Sequence, residues 1–337
     1  MTRARFLQII AGWAFLFAAL PFRALAALKL KPVANMAPRF TVPTGDTSPI
    51  TPTSRFYVED ISGVPDYVKA GAPDWMLQIH GEVERPLSLN LKAIAAKPQV
   101  QKIITLSCIG NPVGGHAIGN AKWQGISLRK LLEEVSPSSD ADWMIVRGAD
   151  GYHESIPIKK ARHPAALLAT HMNGERLTKD HGYPLRLLIP GLYGIKQVKW
   201  IQELEFSAGR QPGYWNKKGW TRDARVQIFS RIDWPHQGEN LLRGNHNIRG
   251  VAFAGDRGII RVEISFDEGK TWQLATLGKP LSNYSWVFWN ASVPLGPGHY
   301  SVMVRAADLY SGIQSGYKRD PFPAGVNGFH RIEFKVF

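Results

Sequence analysis

The chain has one cysteine, Cys108, in 337 residues. No intrachain disulfide can form, although an exported chain has the opportunity. There is no Cys-x-x-Cys-His for a c-type haem and no set of thiolates for an iron–sulfur cluster. Any thiolate–metal chemistry therefore rests on Cys108 alone. Gly-x-Ser-x-Gly, His-Glu-x-x-His, a Walker loop and Gly-x-Gly-x-x-Gly are also missing. That removes the usual signatures of serine hydrolases, zinc proteases and nucleotide-binding domains. The net charge of +14 is not gathered into a basic run, which argues against nucleic acid as a partner. Beyond residue 26 no apolar run approaches the length needed to cross a bilayer.

The first 26 residues stand apart. Arg3 and Arg5 precede an apolar stretch from Phe6 to Phe22, and Ala24-Leu25-Ala26 has the small-x-small form of a cleavage site. This reads as a secretory signal peptide and places the mature chain in the periplasm. Three cations, Arg3, Arg5 and Arg23, leave with it, so the charge falls from +14 to +11. A basic exported protein suits an anionic ligand, an acidic protein partner or a membrane surface.

Residues 27–54 are rich in Pro and Thr and read as an extended lead. Residues 55–208 mix strand-like and helix-like stretches. Trp75–Val83, Gln101–Leu106, Leu185–Ile189 and Val198–Phe206 read as strands, and Leu128–Val135 as a short amphipathic helix. A Gly-, aromatic- and Lys/Arg-rich connection follows over 209–225. From 226 to 337 the pattern is β throughout, with strands expected at Gly258–Phe266, Trp272–Leu277, Ser285–Trp289 and Tyr300–Ala307. Short strands at such spacing indicate a β-sandwich. The expected fold class is α+β: a mixed first domain and a sandwich second domain.

Three stretches carry chemistry. Residues 105–120, TLSCIGNPVGGHAIGN, place Cys108 where a strand gives way to a glycine-rich loop. A lone cysteine is often a small buried hydrophobe. At a strand end, where backbone approaches a ligand closely, it also serves as a nucleophile or metal ligand. His116 is the nearby base that a nucleophile would need. Residues 180–200, DHGYPLRLLIPGLYGIKQVKW, set His181, Arg186, Lys196 and Lys199 around two glycine turns. They read as solvated basic loops or as a cradle for a phosphate-bearing ligand. Residues 265–272, SFDEGKTW, match the Asp-box hairpin of propeller blades, but a propeller needs several copies and there is one. The stretch therefore reads as a structural hairpin.

Together these stretches resemble the sulfite-oxidase family of molybdenum enzymes, over roughly residues 50–337. The carriers are TLSCIGN, then IGNAKWQGISLRKLL, then MNGERLTKDHGYPLRLLIPGLYGIKQVKW, in the family's order. The second domain resembles the family's immunoglobulin-like dimerisation domain, where a single SxDxGxTW hairpin recurs. The resemblance implies a molybdenum–pyranopterin cofactor, one metal per chain, with Cys108 as the protein's metal ligand. It assigns His181, Arg186 and Lys199, with Lys196 in the same stretch, to the pterin and its phosphate, and Tyr57 to a place beside the pterin. It makes Tyr152, in GYHESIP, the active-site tyrosine. The implied reaction is two-electron oxygen-atom transfer on a small oxo-type substrate. With no haem motif here, electrons are expected to pass to or from a separate cytochrome or haem membrane subunit. A homodimer through the second domain is expected as well.

The sequence departs from sulfite oxidases where their oxyanion-binding arginines belong. Glu59, Pro112 with Val113, and Ala324 occupy those places. A dianion beside a carboxylate, with no arginine, is poorly bound. His116, Lys122, Arg222, Lys318 and Arg319 are the cations available to compensate. Poor sulfite binding points to a neutral or cationic substrate, such as an S- or N-oxide; sulfite dehydrogenase is the alternative within the class. A non-catalytic exported binding protein and a Cys108/His116 thiol hydrolase are the alternatives outside it. The export signal also departs: TRARFLQ has Ala4 where a twin-arginine motif has its second arginine.

Overall fold

The computed structural model describes Arg39–Thr41 and residues 47–337. The expected signal peptide and most of the lead lie outside the described residues. The fold is mostly β, and the longest helix among the described residues, Leu128–Val135, has 8 residues. That helix forms as its spacing predicts. Leu128, Leu131, Leu132 and Val135 fall on one buried face, and the Ser127 hydroxyl caps the Lys130 amide.

The first half holds two sheets. In one, Gln99–Ser107, Ile118–Ser127 and Leu167–Met172 run antiparallel, with Glu175–Arg176 and Arg186–Leu188 both pairing on Leu167–Met172. In the other the order is Leu87–Asn90, Met76–Gly81, Ile201–Ser207, Trp143–Gly148, His153–Pro157. Ile201–Ser207 lies parallel to Met76–Gly81 and antiparallel to Trp143–Gly148. A parallel neighbour so distant in sequence needs a long crossover. That crossover contains the cysteine loop and the basic stretch.

The second half has two antiparallel-rich sheets. One runs Phe229–Trp234, Gly244–Phe253, Val287–Leu295, Thr276–Leu277; the other runs Asn240–Leu241, His330–Val336, Gly298–Asp308, Ile259–Ser265, Gln273–Leu274. Their shared core includes Ile248, Val262, Ile264, Trp289, Val302 and Val304. Val287–Leu295 buries every second residue, the alternation expected of a strand with one wet face.

Two expected strands differ. Trp272–Leu277 is two short strands, one on each sheet, so the chain crosses between layers there. The strand expected at Ser285–Trp289 is Val287–Leu295 instead. Tyr284 and Trp286 are held by the first half: the Thr105 amide donates to the Tyr284 carbonyl at 2.9 Å, and the Trp286 amide donates to the Thr105 hydroxyl at 2.9 Å. The Asp-box stretch is a structural hairpin, as expected. Asp267 accepts from the Thr271 amide and hydroxyl, and the Gly269 amide donates to Ser265. A further apolar cluster, including Ile109, Tyr193, Val226, Phe253 and Trp286, joins the halves.

Candidate active site

Thr105, Cys108 and Asn111 owe their spacing to the end of the strand Gln99–Ser107. Thr105 bonds Asn120 across the hairpin at 3.0 Å. Asn111 closes the turn, its amide donating to the Cys108 carbonyl and its side chain accepting from the Ala117 amide at 2.9 Å. Cys108 is 3% exposed. Its thiol donates to Glu59 Oε2 at 2.6 Å and accepts from the Gly110 amide at 3.2 Å. Burial pushes the thiol well above its ordinary value, and the Glu59 charge adds to this. His116 is not a partner: it is exposed, in the field of Arg231, Asp233 and His236. The Cys/His pair that a hydrolase would need is not assembled.

Beside the cysteine lies a pocket of about 680 Å³, counted out to its open mouth. Tyr57, Glu59 and Asp60 line it from one stretch, Asp150 and Tyr152 from another, and His181, Arg186 and Lys199 from the basic stretch. The last three converge because Gly182 has φ +106°, and a Cβ there would lie 3.0 Å from the Arg186 Cβ and 3.2 Å from that of Lys199.

Each basic residue has a different state. His181 donates from Nε2 to the Thr53 carbonyl at 3.1 Å; burial, then Arg186, push it down to about 4, so it is neutral. Arg186 donates to the His181 carbonyl at 3.1 Å and lies 5.0 Å over the Trp123 ring. Burial lowers it to about 10, so it keeps its charge. Its Nε is buried without a hydrogen-bond partner, which is costly unless a ligand satisfies it. Lys199 donates to the Asp180 carbonyl at 3.0 Å and lies 3.6 Å from Asp60. Lys196 is turned away from the pocket. It is fully buried in an ion pair with Glu154, so three of the four basic residues of the stretch, not all four, line the pocket.

Tyr152 lines the pocket, yet its hydroxyl donates to the Ile195 carbonyl at 2.7 Å and lies 3.2 Å from Glu154. Burial and the Glu154 charge raise it well above the usual phenol range. Burial raises Asp150 to about 6 and raises Glu59 as well.

Sequence reasoning missed Asp60, Asp150, Glu154, Gln197 and Trp215. Gln197 carried a signal, being a polar residue inside GIKQVKW. It clamps its own loop, taking the Ile189 amide at 2.7 Å and donating to the Ile189 and Leu192 carbonyls. Of the cations available to replace the missing arginines, none of His116, Lys122, Arg222, Lys318 and Arg319 lines the pocket.

Among the described residues, no group of three or more His, Cys, Asp or Glu is placed to hold a metal. A metal here needs ligands beyond those the described residues supply. The donor set fits a metal carried by an anionic organic cofactor: a buried guanidinium with an unsatisfied N–H and a lysine line the pocket, and behind the lining residue Glu59 sits one thiol, hydrogen-bonded to it.

Comparison with known proteins agrees. Residues 62–215 match the oxidoreductase molybdopterin binding domain, and 224–332 match the Mo-co oxidoreductase dimerisation domain. The chain therefore belongs to the sulfite-oxidase family of molybdopterin-dependent oxidoreductases. It is 30% identical to sulfite oxidase of Gallus gallus, over 79% of this chain and 68% of that one. It is 29% identical to an NADPH nitrate reductase of Emericella nidulans, spanning 77% of this chain but only 38% of the fungal protein. The crystal structure of the sulfane dehydrogenase SoxCD from Paracoccus pantotrophus shares the fold, with TM-score 0.74 at 22% identity, covering 97% of this chain and 96% of that one.

Proposed function

We propose that this oxidoreductase transfers an oxygen atom to or from a neutral or cationic substrate. When bound, the molybdenum–pterin group supplies the two-electron chemistry. Cys108 offers it the protein's thiolate; Arg186 and Lys199 supply positive charge for its phosphate; His181 and Tyr57 flank the pterin. Tyr152 keeps its phenolic proton and is held by Ile195 and Glu154 at the pocket wall.

The observation that carries the substrate class is Glu59. It lies 2.6 Å from the cysteine sulfur, where sulfite oxidases have an arginine. A carboxylate at the ligand atom repels a dianion and tolerates a neutral or positive group. Sulfite dehydrogenase is the second reading, favoured by the identity to the chicken enzyme. Export to the periplasm, an immunoglobulin-like second domain with its boundary near residues 209–225, a homodimer through that domain, and electron exchange with a separate haem protein belong to the same proposal.

Elemental mass spectrometry on protein from a host that makes the cofactor, with Cys108→Ser alongside, tests the class. About one molybdenum per chain in the native protein, with loss or altered ligation in the variant, is expected. Metal-free native protein would leave the binding-protein reading. Sulfite kinetics test the substrate: kcat/KM is expected well below the ordinary range of about 10⁴–10⁸ M⁻¹s⁻¹, and a value within it would favour sulfite dehydrogenase.

A further inference from the structure

A net charge does not locate a patch, but the fold does. The connection over 209–225 reaches the pocket, since Trp215 lines it. A segment distant in sequence, 317–325, packs on that connection. The Thr221 amide donates to the Pro323 carbonyl at 2.9 Å, and Phe322 meets Trp220 edge-on at 5.4 Å. The two segments, so packed, carry between them five exposed cations: Lys217, Lys218, Arg222, Arg225 and Lys318. Asp223 and Asp320 are the exposed carboxylates between them, and Asp223 lies 3.5 Å from Arg222. Tyr317 and Phe322 are 77% and 52% exposed there. Exposed aromatics among an excess of one sign of charge, here five cations to two carboxylates, have the anatomy of a protein-binding site. A small substrate does not need them.

We propose that this surface docks the electron partner, an acidic redox protein, beside the pocket mouth. The inference rests on the reading that electrons pass to a separate protein. Opposite charge speeds encounter, and the aromatics supply the contact area that charge alone lacks. A docked partner shortens the electron's path to the pocket because Trp215 and Trp220, 6.2 Å apart, lie in the same segment. The step is one-electron transfer from reduced enzyme to oxidised partner, or the reverse, twice per turnover.

The test uses two probes: cytochrome c with its lysines succinylated, which is acidic, and the unmodified basic form. The holoenzyme is reduced with titanium(III) citrate, freed of reductant and mixed with each in a stopped-flow instrument. The acidic probe is expected to react about tenfold faster or more at low salt, and to lose that advantage as salt rises. Lys217→Glu with Lys218→Glu should reverse the preference, while Lys270→Glu with Lys279→Glu, far along the chain, should not. Equal sensitivity to both double variants overturns the docking surface. Transfer to neither probe, by enzyme that is reduced, overturns the separate-partner reading instead. If the Lys217/Lys218 variant changes a dimer to a monomer in sedimentation, the surface is an interface between copies and the proposal fails.

Discussion

The pocket draws its cations and its carboxylates from the sequence in different ways. His181, Arg186 and Lys199 come from one stretch of twenty-odd residues and arrive together because a glycine lets two side chains approach. Glu59 and Asp60 come from the strand Val58–Asp60 and Asp150 from the turn before His153–Pro157, some ninety residues on, so they meet only in the folded chain; Glu154, in that second strand, lies behind the wall. Burial acts on both sets, in opposite directions on the proton: it lowers His181 and Arg186 and raises Glu59, Asp150 and Glu154. On the proposed reading, the cations would satisfy an anionic cofactor and the carboxylates would govern what else can enter.

Lys196 crosses the division, a cation of the basic stretch held by an acid. Breaking that contrast should have the largest effect. Lys196→Met leaves Glu154 buried without a counter-charge, and is expected to cost about 3–5 kcal/mol, read as a lowered melting temperature. Adding Glu154→Leu should recover much of the loss. A single variant as stable as the native chain would show that the pair contributes nothing. Arg186→Ala acts on the other side of the comparison. It removes the guanidinium whose Nε awaits a partner, and cofactor retention through gel filtration should fall about 10–100-fold. Arg186→Lys should rescue little, since a point charge does not replace the planar fork.

The same contrast explains what was legible beforehand. Cys108 and the three lining cations were readable because each motif is local: a strand end before glycines, and cations around two turns. The second-half β pattern was readable because Val287–Leu295 and its neighbours alternate at period two. Apart from Glu59, the carboxylates were not. Nothing near Asp150 in the sequence says that Lys199 and Asp60 will act on it. Lys196 was misplaced for the same reason: three residues from Lys199, it is carried by a 3-10 turn, Gly194–Lys196, toward a glutamate 42 residues earlier in the chain. The split of Trp272–Leu277 between two sheets is likewise a tertiary choice that a short apolar run does not reveal.

Glu59 allows a smaller, sharper test. Glu59→Gln keeps the shape and removes the charge, and sulfite kcat/KM should rise about tenfold, roughly 1.4 kcal/mol, while a cationic N-oxide should lose ground. Unchanged sulfite kinetics would separate Glu59 from substrate choice.

The smallest effect is a slope. Asp150, raised to about 6, holds a proton in the folded chain that the unfolded chain releases near its ordinary value of 3.8. Its contribution to stability is full below about pH 4 and is lost as pH rises toward about 6. His181 and His330, both pushed down to about 4 chiefly by burial, act in reverse: their contribution is present above about pH 6.5 and is lost as pH falls toward about 4. In the window between, acid and imidazoles oppose each other. Asp150→Asn removes the acid, so stability should climb more steeply with pH than in the native chain, by up to about 1.4 kcal/mol per pH unit. Urea melts of cofactor-free protein across that window read the slope without the proton release that metal binding brings. Parallel curves for variant and native chain would mean that the Asp150 carboxyl titrates as it does in water, and that its place in the pocket gives it no grip on the proton.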